Sequence, residues 1–218
     1  MGLRLITAPT DEPITLEQAK SHLRVAHESD DDYIAGLIED ARAYVEDETQ
    51  RALITQTLEY TVDWLDAPRA FDGSVLTAPT RPTVIYLPRP PLQSVSYFNY
   101  LDADGAEQSF YSTLASPQIT SSLVVDNKSD WRQARLVPVN SGTWPALLDQ
   151  ANAVTIRYIA GYGASGEYVP RPLIRAIYLM IAHFYENREP INIGNITTEL
   201  AFSVQALMAK YKIENVVL

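Results

Sequence analysis

The sequence predicts an α+β fold in which a helical core carries an inserted antiparallel β region. Three observations lead to it. Residues 170–190, PRPLIRAIYLMIAHFYENREP, place apolar side chains around nearly the whole circumference of one helix. Residues 30–51 carry an apolar stripe at helical spacing. Between them, over residues 54–160, the apolar period drops from 3.6 to 2 and is repeatedly broken by Pro, Gly and Asp.

Taken in order, residues 15–25, TLEQAKSHLRV, predict a short helix. Thr15 and Gln18 have capping-box spacing, and Leu16, Ala19 and Leu23 fall on one side. A second start follows at Ser29-Asp30-Asp31-Asp32. Ser29 is placed to cap the helix, and the carboxylates favour the positive end of its dipole. That helix runs over residues 30–51. Tyr33, Ile34, Leu37, Ile38, Ala41, Tyr44 and Val45 form its stripe, opposite Glu39, Asp40, Arg42, Glu46 and Asp47.

In residues 55–65, Leu58, Tyr60, Val62 and Trp64 alternate with Thr57, Glu59, Thr61 and Asp63, the pattern of a half-buried strand. Residues 66–82 read as a loop. Further strands are expected at 83–87, 94–101, 108–114, 118–125, 133–139 and 153–160. Asp102-Ala103-Asp104-Gly105 supplies a turn for the hairpin 94–114. Pro170 and Pro172 suit the first turn of the next helix, over 170–188, where an N–H has no intrahelical partner. Because that helix is apolar nearly all round, it is expected to be buried as the centre of the core. It is too short, and too polar at its ends, to span a bilayer. After the loop INIGN, a last helix at 200–211 presents Leu200, Val204, Leu207, Met208 and Tyr211. The domain organisation expected is a helical core from 1–53 and 163–218, with the β region at 54–162. The end, Ile213, Glu214, Asn215, Val216, Val217 and Leu218, is an apolar tail that either packs on its own domain or docks on a partner.

With 218 residues the chain can bury a real core. It has no cysteine, which excludes disulfides, thiol catalysis and Cys-based metal sites. The start, MGLRLITAPTDEP, does not read as a secretory signal. The net charge of −10 is uneven: residues 1–50 carry 12 acidic and four basic side chains, whereas residues 170–218 carry four and five. No basic run supplies the face that gripping nucleic acid requires. An acidic face is compatible with lying beside DNA without sticking to it, and equally with solvated helix faces.

Candidate chemistry is sparse. Gly161-Tyr162-Gly163-Ala164-Ser165-Gly166 matches GxGxxG, but Glu167, Tyr168, Val169 and Pro170 separate it from the helix, and the preceding strands read as antiparallel. The expectation is a tight strand-to-helix link and no cofactor. His22, His27 and His183 lack metal-ligand spacing, and His183 is expected to pack in the core. Asp30–Asp32 has neither the spacing nor the glycine of a calcium loop. No catalytic, cofactor or metal residues are assigned. Tyr97, Tyr100 and Tyr111 fit ordinary strand composition, and beside it a binding surface on the β region.

Several stretches together carry a resemblance. ITLEQAKSHLRV, DDDYIAGLIEDARAYVEDETQRAL, LPRPPLQSV, AVTIRYIAGYG and IRAIYLMIAHFYENRE, in that order, resemble the tailed-phage head–tail connector (adaptor) proteins, and more narrowly are similar to the gp6-like and phiE125 gp8-like families. The resemblance implies a helical connector core with a β insertion and a structural, non-enzymatic role. It implies a homo-oligomeric ring, commonly a dodecamer, below the portal of a bacteriophage or gene transfer agent. The ring would extend the DNA channel and offer a platform to a stopper or tail-terminator protein, and DNA would pass without sequence-specific binding. It implies a virion location at the head–tail interface, with host cytoplasm during assembly, no membrane and no cofactor. It also gives residues 213–218 a partner, the portal protein. Two other readings stand beside it: a β-sandwich module binding carbohydrate or protein, with Tyr97 and Trp131 as contacts, and a carboxylate hydrolase.

Overall fold

The structure, a computed structural model, describes residues 2–63, 84–115, 123–127, 133–139, 144–188 and 198–213, with backbone alone at 111–115 and 198–202. It is a mixed α+β chain that divides into two compact units. One takes Met1–Ala8 and Gln56–Gly161, the other Pro9–Thr55 and Tyr162–Leu218.

The first unit holds eight described strands: β1 (Gly2–Thr7), β2 (Gln56–Val62), β3 (Ile85–Tyr86), β4 (Leu92–Leu101), β5 (Glu107–Ala115), β6 (Leu123–Asp126), β7 (Arg135–Pro138) and β8 (Val154–Ala160). They form a five-stranded sheet in the order β1-β2-β8-β4-β5 and a three-stranded sheet in the order β3-β7-β6. Every strand pairing is antiparallel. The last strand in sequence, β8, lies at the centre of the larger sheet, paired with β2 on one side and β4 on the other. Its alternation explains the position. Val154, Ile156, Tyr158 and Ala160 are buried, while Thr155, Arg157 and Ile159 on the other face are only half-buried. The buried Tyr158 hydroxyl donates to the Pro88 carbonyl at 2.8 Å. Phe98, Phe110 and Trp144 meet with ring centroids 5.3–5.6 Å apart.

The hairpin joining β4 and β5 turns where the sequence places it. The Asp102 carboxylate accepts from the N–H groups of Asp104 and Ala106, and Gly105 takes φ +81°. Strand β1 departs from the sequence reading, which leaves residues 1–53 to the helical core. Residues 2–7 alternate Leu3 and Leu5 with Arg4, and they pair with β2 at the sheet edge. The expected loop 66–82, Trp64, Trp131 and the loop INIGN lie outside the described residues, as does most of the strand expected at 118–125.

The second unit is built from α1 (Leu16–Leu23), α2 (Asp31–Thr49), α3 (Arg171–Glu186) and α4 (Thr198–Ala209). The capping box of α1 forms as read: Thr15 Oγ1 accepts from the Gln18 N–H, and Gln18 Oε1 accepts from the Thr15 N–H. Arg24, in left-handed geometry, ends that helix. Ile34, Leu37, Ile38, Ala41 and Val45 of α2 share one core with Leu173, Ala176, Ile177, Met180 and Ile181 of α3, Ala19 of α1, and Val204 and Met208 of α4. Each fully buried Leu or Ile contributes roughly 1.5–3 kcal/mol. Such burial outweighs the few tenths of a kcal/mol by which β-branched residues disfavour a helix, about 0.7 at most.

Two expectations fail here. α3 is not buried all round: Arg171, Arg175 and Glu186 are exposed, and Leu179 and Ala182 are half-covered, because α1, α2 and α4 cover one side of it. Ser29 does not cap α2. Its Oγ lies 2.7 Å from His27 Nδ1, and Asp30 takes the N-cap position without a side-chain capping bond.

Candidate functional site

The titratable groups that draw attention in the sequence are mostly engaged in holding elements together. In the five-stranded sheet, Arg4, Glu59, Arg157 and Tyr97 stand opposite one another on β1, β2, β8 and β4. Glu59 is buried and takes every bond. Arg4 Nη2 donates to one carboxylate oxygen at 2.6 Å, while Arg157 Nη2 at 2.6 Å and the Tyr97 hydroxyl at 2.9 Å donate to the other. The Arg157 guanidinium also lies over the Tyr97 ring, 5.0 Å from its centroid. Burial pushes the Glu59 carboxyl up, but the bonds from Arg157, Tyr97 and Arg4 outweigh it and hold it below the ordinary carboxylate range. Tyr97 is thus a strut of the sheet. Its hydroxyl and one ring face are already occupied, which disfavours it as a ligand contact. The side chain of Tyr111 and all of Trp131 fall outside the description.

A second cluster ties the start of α2 to the end of α3. Asp30 Oδ2 accepts from the Tyr185 hydroxyl at 2.6 Å and from Arg188 Nη2 at 2.8 Å. The Arg188 guanidinium lies over the rings of Tyr33 and Tyr185 at 4.5 and 5.1 Å. The Tyr185 bond, followed by Arg188, holds the Asp30 carboxyl below its usual range. Asp31 meanwhile pairs with Lys20 of α1 at 2.5 Å. The acidic start of α2 therefore serves as a set of inter-element ties as well as a partner for the helix dipole.

The third cluster roots the C-terminal segment. Arg51, 1% exposed, donates from Nε to the Tyr211 carbonyl at 2.5 Å just past α4. Ile213, itself buried, donates its N–H to the Thr49 carbonyl at 3.0 Å. Glu46, on the preceding turn, accepts from the Leu53 N–H at 2.7 Å and from Arg42 at 3.1 Å, and Arg42 also reaches Glu12 at 2.7 Å. Of the six candidate docking residues, Ile213 is therefore packed in its own unit. Glu214, Asn215, Val216, Val217 and Leu218 lie outside the described residues. Nothing in the sequence marks Arg51 as a buried anchor; only the position of its partner, 160 residues away, does so.

The GxGxxG match folds as a link. Gly161 has φ +130° and donates to the Pro91 carbonyl at 2.9 Å, and β8 before it is flanked by antiparallel strands. Gly163 lies under the Tyr168 ring, and a Cβ on Gly166 would stand 1.8 Å from the Pro13 carbonyl oxygen. These glycines are thus consumed by close packing. The three histidines have separate local partners: His22 faces Tyr178, His27 meets Ser29, and the half-buried His183 contacts Asn187. His183 is therefore at the edge of the core and not within it. Among the described residues, no group of three His, Asp or Glu is placed to hold a metal ion, and no helix is long and apolar enough to cross a membrane.

Comparison with known proteins identifies what this arrangement resembles. The family model described as phage gp6-like head-tail connector protein matches residues 13–76. That span contains the first two of the stretches that carried the resemblance. No curated protein matches the sequence. Among solved structures, the fold matches a chain in the neck of an empty gene transfer agent particle computed with C6 symmetry, at TM-score 0.71 and 21% identity, covering 100% of this chain and 98% of that one. It matches a chain in the virion of a native gene transfer agent particle equally well. A chain in the neck of the native particle computed with C12 symmetry matches at TM-score 0.66 and 20% identity, with the same coverage. The fold is thus that of these neck chains over its full length.

Proposed function

We propose that the protein is a structural head–tail connector of a tailed bacteriophage or gene transfer agent. Copies form a ring below the portal, extend the DNA channel and join head to tail. The observation that carries this reading is the likeness to neck chains over 100% of the sequence, together with the connector-family match at residues 13–76. The helical unit is the connector core and the β unit its insertion. The role is non-catalytic, which agrees with carboxylates and arginines spent on holding strands and helices together. Twelve copies are the expected ring, since one matching neck was computed with C12 symmetry. The portal lies above and a stopper or tail-terminator protein below. DNA passes without being read, in keeping with a chain of net charge −10. The protein resides at the head–tail interface of the virion and in host cytoplasm during assembly. The test is native mass spectrometry with negative-stain imaging, on the protein alone and mixed with the portal protein of the same genome. A closed ring in either sample is expected. Monomer in both, with no portal complex, would overturn the reading.

A further inference from the structure

We infer that neighbouring copies in the ring meet through the outward faces of two helices. The acidic face of α2 on one copy lies against the N-terminal half of α3 on the next. The inference rests on the ring reading above and names the surfaces that would build it.

The exposed face of α2 carries Asp32, Ala35, Gly36, Glu39, Asp40 and Ala43. It is low as well as acidic, since a Cβ built on Gly36 would meet nothing within 4 Å. On α3 the outer stripe runs Arg171, Arg175, Leu179, Ala182, at the i, i+4, i+8, i+11 spacing of one helix face, with Leu179 also packed in part against the core. Leu179 and Ala182 are half-covered apolar side chains beside two exposed guanidiniums. Several other charges on these helices and next to them are paired: Asp30 with Arg188, Asp31 with Lys20, Arg42 with Glu46, Glu48 with Lys212. Asp32, Glu39, Asp40, Arg171 and Arg175 form no ion pair among the described residues. These five sort by sign, carboxylates on α2 and guanidiniums on α3, with Glu186 at the far end of α3.

A ring needs a heterologous interface, in which two different patches of one chain are complementary. These faces meet that requirement in charge and in relief. The side chain of Leu179 has a shallow surface at Gly36 and Ala43 to cover it, and Arg175 and Arg171 have Glu39, Asp40 and Asp32 to meet. Opposite charges flanking a small apolar contact fix register and exclude wrong pairings.

Asp40→Arg and Arg175→Glu each set like charges against one another, and the double variant restores the attraction with its sign reversed. Native mass spectrometry of each protein with the portal protein is expected to show loss of the ring in both single variants and its return in the double. Circular dichroism of the single variants should match the parent, because both positions are exposed. Single variants that assemble like the parent would overturn the inference and leave the connector reading standing. So would a double variant as defective as the singles. A parent protein that forms no ring with the portal would remove the connector reading itself, and this inference with it.

Discussion

Glu59 is one carboxylate holding three side chains from three other strands, and it makes the sheet's row of polar residues sensitive to a single group. Glu59→Gln removes the charge and leaves Arg157 and Tyr97 with a weaker acceptor. Arg4 and Arg157 retain access to water, with side chains 69% and 33% exposed, so solvent recovers part of the loss. The expected cost is about 1.5 kcal/mol, the lower end for hydrogen bonds to a charged group, read as a lower urea midpoint. The pH dependence has a definite sign. The folded carboxyl titrates below its ordinary value of 4.5, so its stabilisation is fully present above that value and is lost as pH falls through the folded value. The gap between parent and Glu59→Gln should therefore be widest near neutrality and close in acid; a gap independent of pH would contradict the assignment. Strand alternation places Glu59 on the polar face of β2. It cannot show that Arg4 and Arg157 arrive opposite it from 55 and 98 residues away, because register is set by packing across the sheet and leaves no local mark.

At the scale of elements, the segment between β8 and α3 depends on glycine for two different reasons. A side chain at Gly166 would run into backbone, the Pro13 carbonyl, which lies just ahead of α1. Gly166→Ala is expected to destabilise by roughly 1–3 kcal/mol, the usual cost of overpacking. At Gly163 the obstacle is the side chain of Tyr168, which is 63% exposed and able to give way, so Gly163→Ala should cost less. Thermal unfolding of the two variants would rank them, and the reverse order would contradict this account. The sequence pattern supports a link here but not its tightness, since the Pro13 contact joins segments 153 positions apart. Long elements with strong periodicity, α2 and α3, were legible with their ends nearly placed, as was the Asp102–Gly105 turn. β1 was not. A six-residue edge strand with Leu3 and Leu5 40% and 51% exposed gains little from burial, so its alternation carries little weight beside the longer segments. The exposed side of α3 was hidden for the opposite reason: its composition says apolar all round, and only the placement of its neighbours decides which residues are covered.

For the whole molecule, the tail is where sequence and structure divide the question between them. Its composition points to a contact, and the structure fixes where it starts: Ile213 is packed and Arg51 holds the backbone at Tyr211. We propose that the residues beyond Ile213 dock on the portal. Removing 214–218 should abolish portal binding, measured by co-sedimentation or native mass spectrometry, while the domain stays folded by circular dichroism. Undiminished portal binding would end that proposal. Removing Ile213 as well should lower the melting temperature, because a buried aliphatic side chain is lost. The connector resemblance could be read because the order and spacing of short stretches persist where single residues do not. The interface surfaces could not, because charge on a helix face has the same appearance in sequence whether water or another copy meets it.

The division of the chain also bears on its synthesis. Residues 2–7 leave the ribosome before the helices at 16–49, yet the strand they join, β2, is made only afterwards, and β8, which completes the other side of β2, follows a further hundred or so positions later. The nascent chain can therefore form α1 and α2 from local contacts while β1 has nothing to pair with, and the larger sheet must close across its longest separations at the end. The Leu3–Leu5 segment thus stays without its partner strand until residues 56–62 have been made. Chaperone dependence of the yield should accordingly track this segment and not the helical unit.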